Sequence, residues 1–250
     1  MADTAEAGQA GSGPDFRPLY GQVKDLLVRR IAAGELRPGE ALPSEMRLAA
    51  ELGVSQGTVR KALDELAAQH LVERRQGRGT FVAEQTESRA LFHFFHLFDA
   101  EGQRGSPACR EASSKSGSAS RAEAKRLDLA AKAPVIRIDR VRTLDGVPSM
   151  VERIVVPAGL FPGLAEQPGD ALPNTLYEMF QRDYGVTVTT ADEQLRAVAA
   201  GAADARKLDV PEGTPLMEID RVAIGIRGRP VEWRLSRVRT DAHTYRVRLD

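Results

Sequence analysis

The chain has 250 residues, 42% apolar but only 5% aromatic, which is enough for one large or two modest domains with mostly aliphatic cores. Its 35 basic and 35 acidic residues cancel, which excludes attachment to nucleic acid by bulk charge alone, so any basic surface must be local. The single cysteine, Cys109, excludes an internal disulfide and a multi-cysteine zinc site, and no apolar run approaches the ~18 residues of a membrane span.

Residues 1–15 are small, Gly/Ala-rich and acidic, and read as a disordered tail. With Asp3 and Glu6 and no apolar stretch they do not form a secretory signal, so a cytoplasmic protein without membrane contact is expected. Residues 16–84 form a first, helix-rich domain, and 85–250 a second, strand-dominated one. The first holds the local positive excess, with 11 Lys/Arg against 8 Asp/Glu over residues 16–83.

In chain order, a helix is predicted over Pro18–Ala33, because Leu19, Val23, Leu26, Leu27 and Ile31 fall on one face and Gly34 supplies a stop. Ser44 is a good N-cap for a helix over Glu45–Leu52, ended by Gly53. Ser55 caps a third helix over Gln56–His70, with Val59, Ala62, Leu63 and Leu66 inward. Two helices joined by Gly-Val-Ser have helix-turn-helix spacing. Gln56, Gly57, Arg60 and Lys61 lie off the apolar stripe in the first turns, where a recognition helix meets base edges; a merely solvated face is the alternative. Gln pairs with adenine and Arg with guanine. Gly57 costs up to ~1 kcal/mol in a helix, which close approach to DNA would explain. Short strands at Leu71–Arg74 and Thr80–Val82 flank the tip Arg75-Gln76-Gly77-Arg78-Gly79. A basic, Gly-rich tip beside a helix-turn-helix reads as a wing, its arginines within reach of phosphate or minor groove.

This text, PLYGQVKDLLVRRI followed by LRPGEALPSEMRLAAELGVSQGTVRKALDELAAQHLVERRQGRGTF, resembles the winged-helix domain of the GntR family of bacterial transcription regulators. The resemblance implies DNA contact by Arg47, Ser55, Gln56, Gly57, Thr58, Arg60, Lys61, Arg75, Gln76, Arg78 and Gly79. The family commonly has Arg at the positions of Met46 and Gln56, so its usual operator sequence does not carry over.

In the second half, the stretch from Ala100 to Ser120 is polar and loop-like, with room for an edge strand. Strands are predicted at Val135–Leu144, Met150–Val156, Leu216–Ile226, Val231–Thr240 and Tyr245–Leu249, and helices at Ser120–Leu129, Asn174–Tyr184 and Ala202–Leu208. This is an α+β pattern. Alternation puts Arg140 and Arg142 on the face of Ile136 and Ile138, and Glu152 on that of Met150 and Ile154. Charge on an apolar face needs a partner or a ligand, so these residues outline a pocket, a structural ion pair or an exposed strand end. His93 and His96 suggest a metal pair, but on a strand residues three apart face opposite ways and no further ligand is evident; no metal, cofactor or catalytic group is expected.

This half resembles the UTRA effector-binding domain of the HutC branch, on RVRTLDGVPSMVERIVVP, LFPGL, TLYEMF, LDVPEGTPLMEIDRVA and GRPVEWRLSRVRTDAHTYRV. The resemblance implies a chorismate-lyase-like antiparallel sheet with helices on one side, dimerisation, and an effector cleft lined by Arg140, Arg142, Glu152, Thr175, Leu176, Tyr177, Glu232 and Arg239. Thr175 replaces the usual Ser, and Trp233 and Arg237 stand where Tyr is common. The expected function is a homodimeric, effector-responsive regulator, most simply a repressor, on an inverted-repeat operator. An enzyme with a lyase-like domain, or a constitutive DNA-binding protein, are the alternatives.

Overall fold

A computed structural model describes residues 17–248, apart from the side chains of residues 90–93 and 227. The predicted disordered tail lies outside these residues. The first unit is α1 (Leu19–Ala32), α2 (Glu45–Leu52), α3 (Gln56–Ala68) and a hairpin of β1 (Val72–Arg75) and β2 (Gly79–Val82). Val23, Leu27 and Ile31 of α1 meet Leu48 and Ala49 of α2, Val59, Leu63 and Leu66 of α3, and Val72 and Val82 of the hairpin. Each fully buried Leu contributes ~1.5–3 kcal/mol. Helix ends follow the sequence: Ser44 Oγ accepts from the Arg47 N–H at 3.2 Å, Ser55 Oγ from the Thr58 N–H at 3.1 Å, and Gly53 closes α2 at φ +64°. α3 stops at Ala68, before the predicted His70, which sits at φ +56°.

The second unit comprises α4 (Glu87–Phe94), β3 (Leu97–Phe98), β4 (Pro107–Ser118), α5 (Arg121–Arg126), β5 (Pro134–Leu144), β6 (Val147–Pro157), α6 (Leu176–Tyr184), β7 (Val188–Ala199), α7 (Ala202–Leu208), β8 (Pro215–Gly225), β9 (Pro230–Arg239) and β10 (Thr244–Tyr245). Six strands form one antiparallel sheet in the order β4-β5-β6-β9-β8-β7, and β3 pairs with β10 in a separate ribbon.

Several expectations need correction. The polar stretch contains a full edge strand, β4, paired with β5 along its length. β7, the other edge, is a strand that the sequence reading omitted; its exposed positions outnumber its buried ones, so the alternation is faint. The strand predicted at Tyr245–Leu249 is only Thr244–Tyr245, with Leu249 outside the described residues. Residues 87–94 are helical, so the strand geometry used to weigh His93 and His96 does not apply. The His93 side chain lies outside the described set, and no metal-holding cluster occurs among the described residues. Helices also cover both sheet faces. α6 packs on Ile136, Ile138, Ile154 and Val156, while α5 and α7 cover Val135, Val155, Val141 and Val151 on the other face.

Candidate functional site

Two sites emerge, one at each end of the chain. At the first, α3 and the wing present one polar face. Gln56 and Arg60 are exposed, and both reach Glu45 at the start of α2: Gln56 Nε2 donates at 3.3 Å and Arg60 Nε at 3.0 Å. Arg74 donates to the other Glu45 oxygen at 3.2 Å and pairs with Asp64 at 2.7 Å. The Arg60 hydrogen bond leads the forces that hold the Glu45 carboxyl below its ordinary range. Glu45 and Arg74 were missed in the sequence, although the 29-residue separation closes only through the fold.

The remaining DNA candidates divide. Ser55 and Thr58 share a 2.8 Å hydroxyl contact within the cap. Arg47 pairs with Glu51 at 2.9 Å, and beside it Met46 is 70% exposed. Lys61 turns back toward α1, its Nζ 4.0 Å from the Tyr20 ring centre. Gly57 is exposed, and a Cβ there would meet only Ser55 Oγ at 3.8 Å, so nothing among the described residues requires glycine. At the wing, Gly77 (φ +69°) and Gly79 (φ +108°) adopt the left-handed region that favours glycine. Gln76 and Arg78 are exposed at the tip. Arg75 lies over the Phe81 ring at 4.5 Å and 3.4 Å from Glu73.

The second site is a cavity on the α6 side of the sheet. Strand register builds its floor. Arg140, Glu152, Ser236 and Ile219 form one cross-strand row, and Ile154, Arg234, Arg221 and Glu193 the next. The first turn of α6 forms a wall with Asn174, Thr175, Leu176 and Tyr177, while Phe94–Leu97 and Tyr245 form a roof. Arg221 donates to the Phe94 carbonyl and pairs with Glu193, which also accepts from the Tyr245 hydroxyl. The open interior is about 50 Å³.

Glu152 is the hub. Its Oε2 accepts from Arg140 at 2.7 Å and 3.1 Å, and its Oε1 from Arg234 and Ser236, each at 3.3 Å. Burial pushes the Glu152 carboxyl up, but Arg140, Arg234 and Arg142 outweigh it and hold it far below its ordinary value. Glu232 is fully buried, receives Arg234 at 2.8 Å and accepts from the Tyr177 hydroxyl at 3.1 Å. Burial, reinforced by the Glu232 charge, raises the Tyr177 hydroxyl to about 12. Arg142 differs from its neighbours. Its Nη2 donates to Asn174 Oδ1 at 2.7 Å and its Nη1 is 3.9 Å from Glu152, while its buried Nε has no partner among the described residues. Burial lowers its guanidinium to about 10, only partly offset by Glu152.

Of the predicted effector residues, Arg142, Glu152, Thr175, Leu176 and Tyr177 line the cavity. Arg140 and Glu232 stand behind it as partners of Glu152 and Arg234. Neither Arg140 nor Arg142 is an exposed strand end, since they are 1% and 4% exposed. Arg239 lies elsewhere, paired with Asp241 and directed at the Pro148 and Leu208 carbonyls. Asn174, Arg221 and Arg234 were missed. Arg234 shares its strand face with Glu232, and Arg221 with Ile219, so the same alternation could have found both.

The family profile for bacterial regulatory proteins of the gntR family matches residues 19–82, and that of the UTRA domain residues 102–244. The chain is 32% identical to the histidine utilization repressor of Pseudomonas putida, over 87% of this chain and 86% of that one. It is 29% identical to the HTH-type transcriptional repressor NagR of Bacillus subtilis, over 91% and 93%. Among solved structures, the ligand-binding domain of a GntR-family transcriptional regulator from Bordetella bronchiseptica superimposes with a TM-score of 0.60 at 31% identity, covering 63% of this chain and 98% of that one. PhnF from Mycobacterium smegmatis superimposes at 0.52 and 28% identity, covering 91% and 99%. With a winged helix in front and an arginine-lined cavity behind, the chain belongs to the GntR family of bacterial regulatory proteins and carries a UTRA domain.

Proposed function

We propose that the chain is a repressor that binds an inverted-repeat operator as a homodimer and changes its affinity when an anionic metabolite enters the α6 cavity. The division into a DNA-binding unit over residues 16–84 and an effector and dimerisation unit over 85–250 is part of this reading. So are action in the cytoplasm and a purely regulatory role without turnover of the ligand. No helix among the described residues is long and apolar enough to cross a membrane.

The observation that carries the effector reading is Arg142. Four arginines (Arg140, Arg142, Arg221 and Arg234) face three carboxylates (Glu152, Glu193 and Glu232), and among the described residues Arg142 Nε is the one fully buried arginine nitrogen without a hydrogen-bond partner. An orphaned buried donor is costly, so the site favours an acceptor there, a carboxylate or phosphate oxygen. A cavity of about 50 Å³ holds little more than water, so a metabolite enters only as the roof lifts. Melting the full chain against a panel of carboxylates and phosphate monoesters tests this. A ligand at 100 times its Kd adds ~2.7 kcal/mol of stability. Arg142→Met should abolish the shift; a panel without a hit, or a hit that Arg142→Met leaves intact, counts against the cavity. Recovery of the ligand chemically altered would favour an enzyme.

For the DNA site, Arg60→Ala should weaken binding to a duplex selected from random-sequence DNA by ~1–3 kcal/mol and relax specificity at one position. Fluorescence anisotropy against a scrambled duplex reads the difference. Equal losses on both duplexes would assign Arg60 to phosphate, and no loss on either would remove α3 from the groove.

A further inference from the structure

The linker that leaves the wing is held by the same helix that walls the cavity. Gln181 lies on α6, four residues and about one turn after Tyr177, and both are buried. Its side-chain amide acts as a substitute strand. Nε2 donates to the Ala83 carbonyl at 3.2 Å, and Oε1 accepts from the Gln85 N–H at 2.8 Å. Nε2 also reaches Thr187 Oγ1 at 3.1 Å. The Ala83 N–H in turn donates to the Leu71 carbonyl at 3.0 Å, inside the winged-helix core. The Gln85 side chain crosses to the Val188 carbonyl at 2.8 Å, leaving its own Oε1 buried without a partner among the described residues. At the other end of α6, Tyr177 meets Phe94 of the roof edge-on, ring centres 5.0 Å apart, and binds Glu232.

We infer that Gln181 is the positioning residue that couples the cavity to the DNA-binding unit, by clamping Ala83 and Gln85 to α6. This rests on the effector reading above. A ligand that displaces Tyr177 and Phe94 moves the first turn of α6. A helix moves as a rigid rod, so Gln181 moves with it and carries the two linker residues that follow β2. The exposed surface of α6 needs no such amide, and Gln181 is 9% exposed, its polar atoms all directed at the linker and at Thr187. The unpartnered Gln85 oxygen gives the junction a reason to take a second arrangement, since another position of the linker could satisfy it.

Coupling is reciprocal, so DNA bound at one end must be felt by α6 even with the cavity empty. The experiment is amide hydrogen exchange over residues 176–184 and at Gln85 in the full chain, with and without a duplex selected from random-sequence DNA by the unaltered protein. In the unaltered protein, DNA should change exchange in α6 by about fivefold or more. In Gln181→Met, which keeps the volume and removes the amide, the change should fall below about twofold, with DNA affinity held within about threefold. Should the methionine variant not melt cooperatively, Gln181→Glu serves: it keeps an acceptor for the Gln85 N–H, loses the donor to Ala83, and should lose the response too. An α6 response that persists in the variant that folds, or an unaltered protein whose α6 ignores DNA, overturns the assignment. Failure of the ligand panel with the exchange response intact would instead overturn the effector reading alone.

Discussion

Arg140→Ala should cost ~3–5 kcal/mol of stability, the largest loss expected from any single change at the cavity. Arg140 is the closest partner of Glu152, and its side chain is completely buried. Its Nη1 also donates to the Asn174 carbonyl at 3.2 Å, tying β5 to the approach to α6. Alanine leaves the almost fully buried Glu152 carboxylate short of its main counter-charge, and opens a void beside it. In a chain of this size that loss lowers the melting midpoint by roughly 6–20 °C. Arg142→Met should cost less, because Arg142 already lacks one partner and sits 3.9 Å from Glu152. Calorimetric melts of the two variants measure the order. If Arg142→Met melts lower than Arg140→Ala, the division between a supporting arginine and a ligand-facing one is wrong.

The same cluster sets an acid limit. The folded Glu152 carboxyl lies far below its ordinary value of 4.5. A depressed pKa gives stability that is fully present above the unfolded value and is lost as pH falls toward the folded one. Urea melts should therefore show stability falling below about pH 4.5, more steeply than in Glu152→Gln measured over the same range. Glu123, whose pairing with Arg137 outweighs burial and holds it at about 2, adds to the slope in both proteins and so cancels in the comparison.

How far these features were legible in the sequence depends on how local their cause is. The helices of the first unit follow from cap residues and a 3.6-residue stripe, both of which sit within a few neighbours of each boundary. Arg140, Arg142 and Glu152 were legible because alternation on two consecutive strands exposes a charge on an apolar face. The strand β7 was not, because an edge strand with most positions in solvent carries little apolar alternation. Residues 87–94 contain Leu91, Phe92 and Phe94 in a run that suits a strand as well as a helix, and the packing of Phe94 on Tyr177 supplies what the run does not. The roles within the cavity were illegible for another reason. Arg140 and Arg142 are equivalent by alternation, and only the position of Asn174, 32 residues beyond Arg142, separates the paired one from the one with a free nitrogen. Arg239 shows the converse: a motif match placed it in the cleft, while its strand ends beyond the cavity and its charge meets Asp241.

Removing both wing arginines should produce the largest loss of DNA affinity, and one that is independent of sequence. Arg75 and Arg78 flank a tip whose backbone is fixed by Gly77 and Gly79 at positive φ and by the Arg78 N–H donating to the Arg75 carbonyl at 2.9 Å. Each phosphate contact on duplex DNA contributes about 0.9 to the slope of log affinity against log salt. A dimer would present each arginine twice, so Arg75→Ala with Arg78→Ala should lower the slope by as much as ~3.6. The two residues should not share this equally. Arg75 rests on the Phe81 ring and lies 3.4 Å from Glu73, so part of its charge is already answered, whereas Arg78 is exposed at the tip. Arg78→Ala alone should therefore account for the larger part of the fall. Because phosphate contacts carry no base information, selected and scrambled duplexes should lose affinity alike, in contrast to Arg60→Ala. Anisotropy titrations from about 50 to 200 mM salt cover the range in which such contacts dominate. A double variant with an unchanged slope would leave the wing tip in solvent, and a loss confined to the selected duplex would move the arginines from the backbone into a groove.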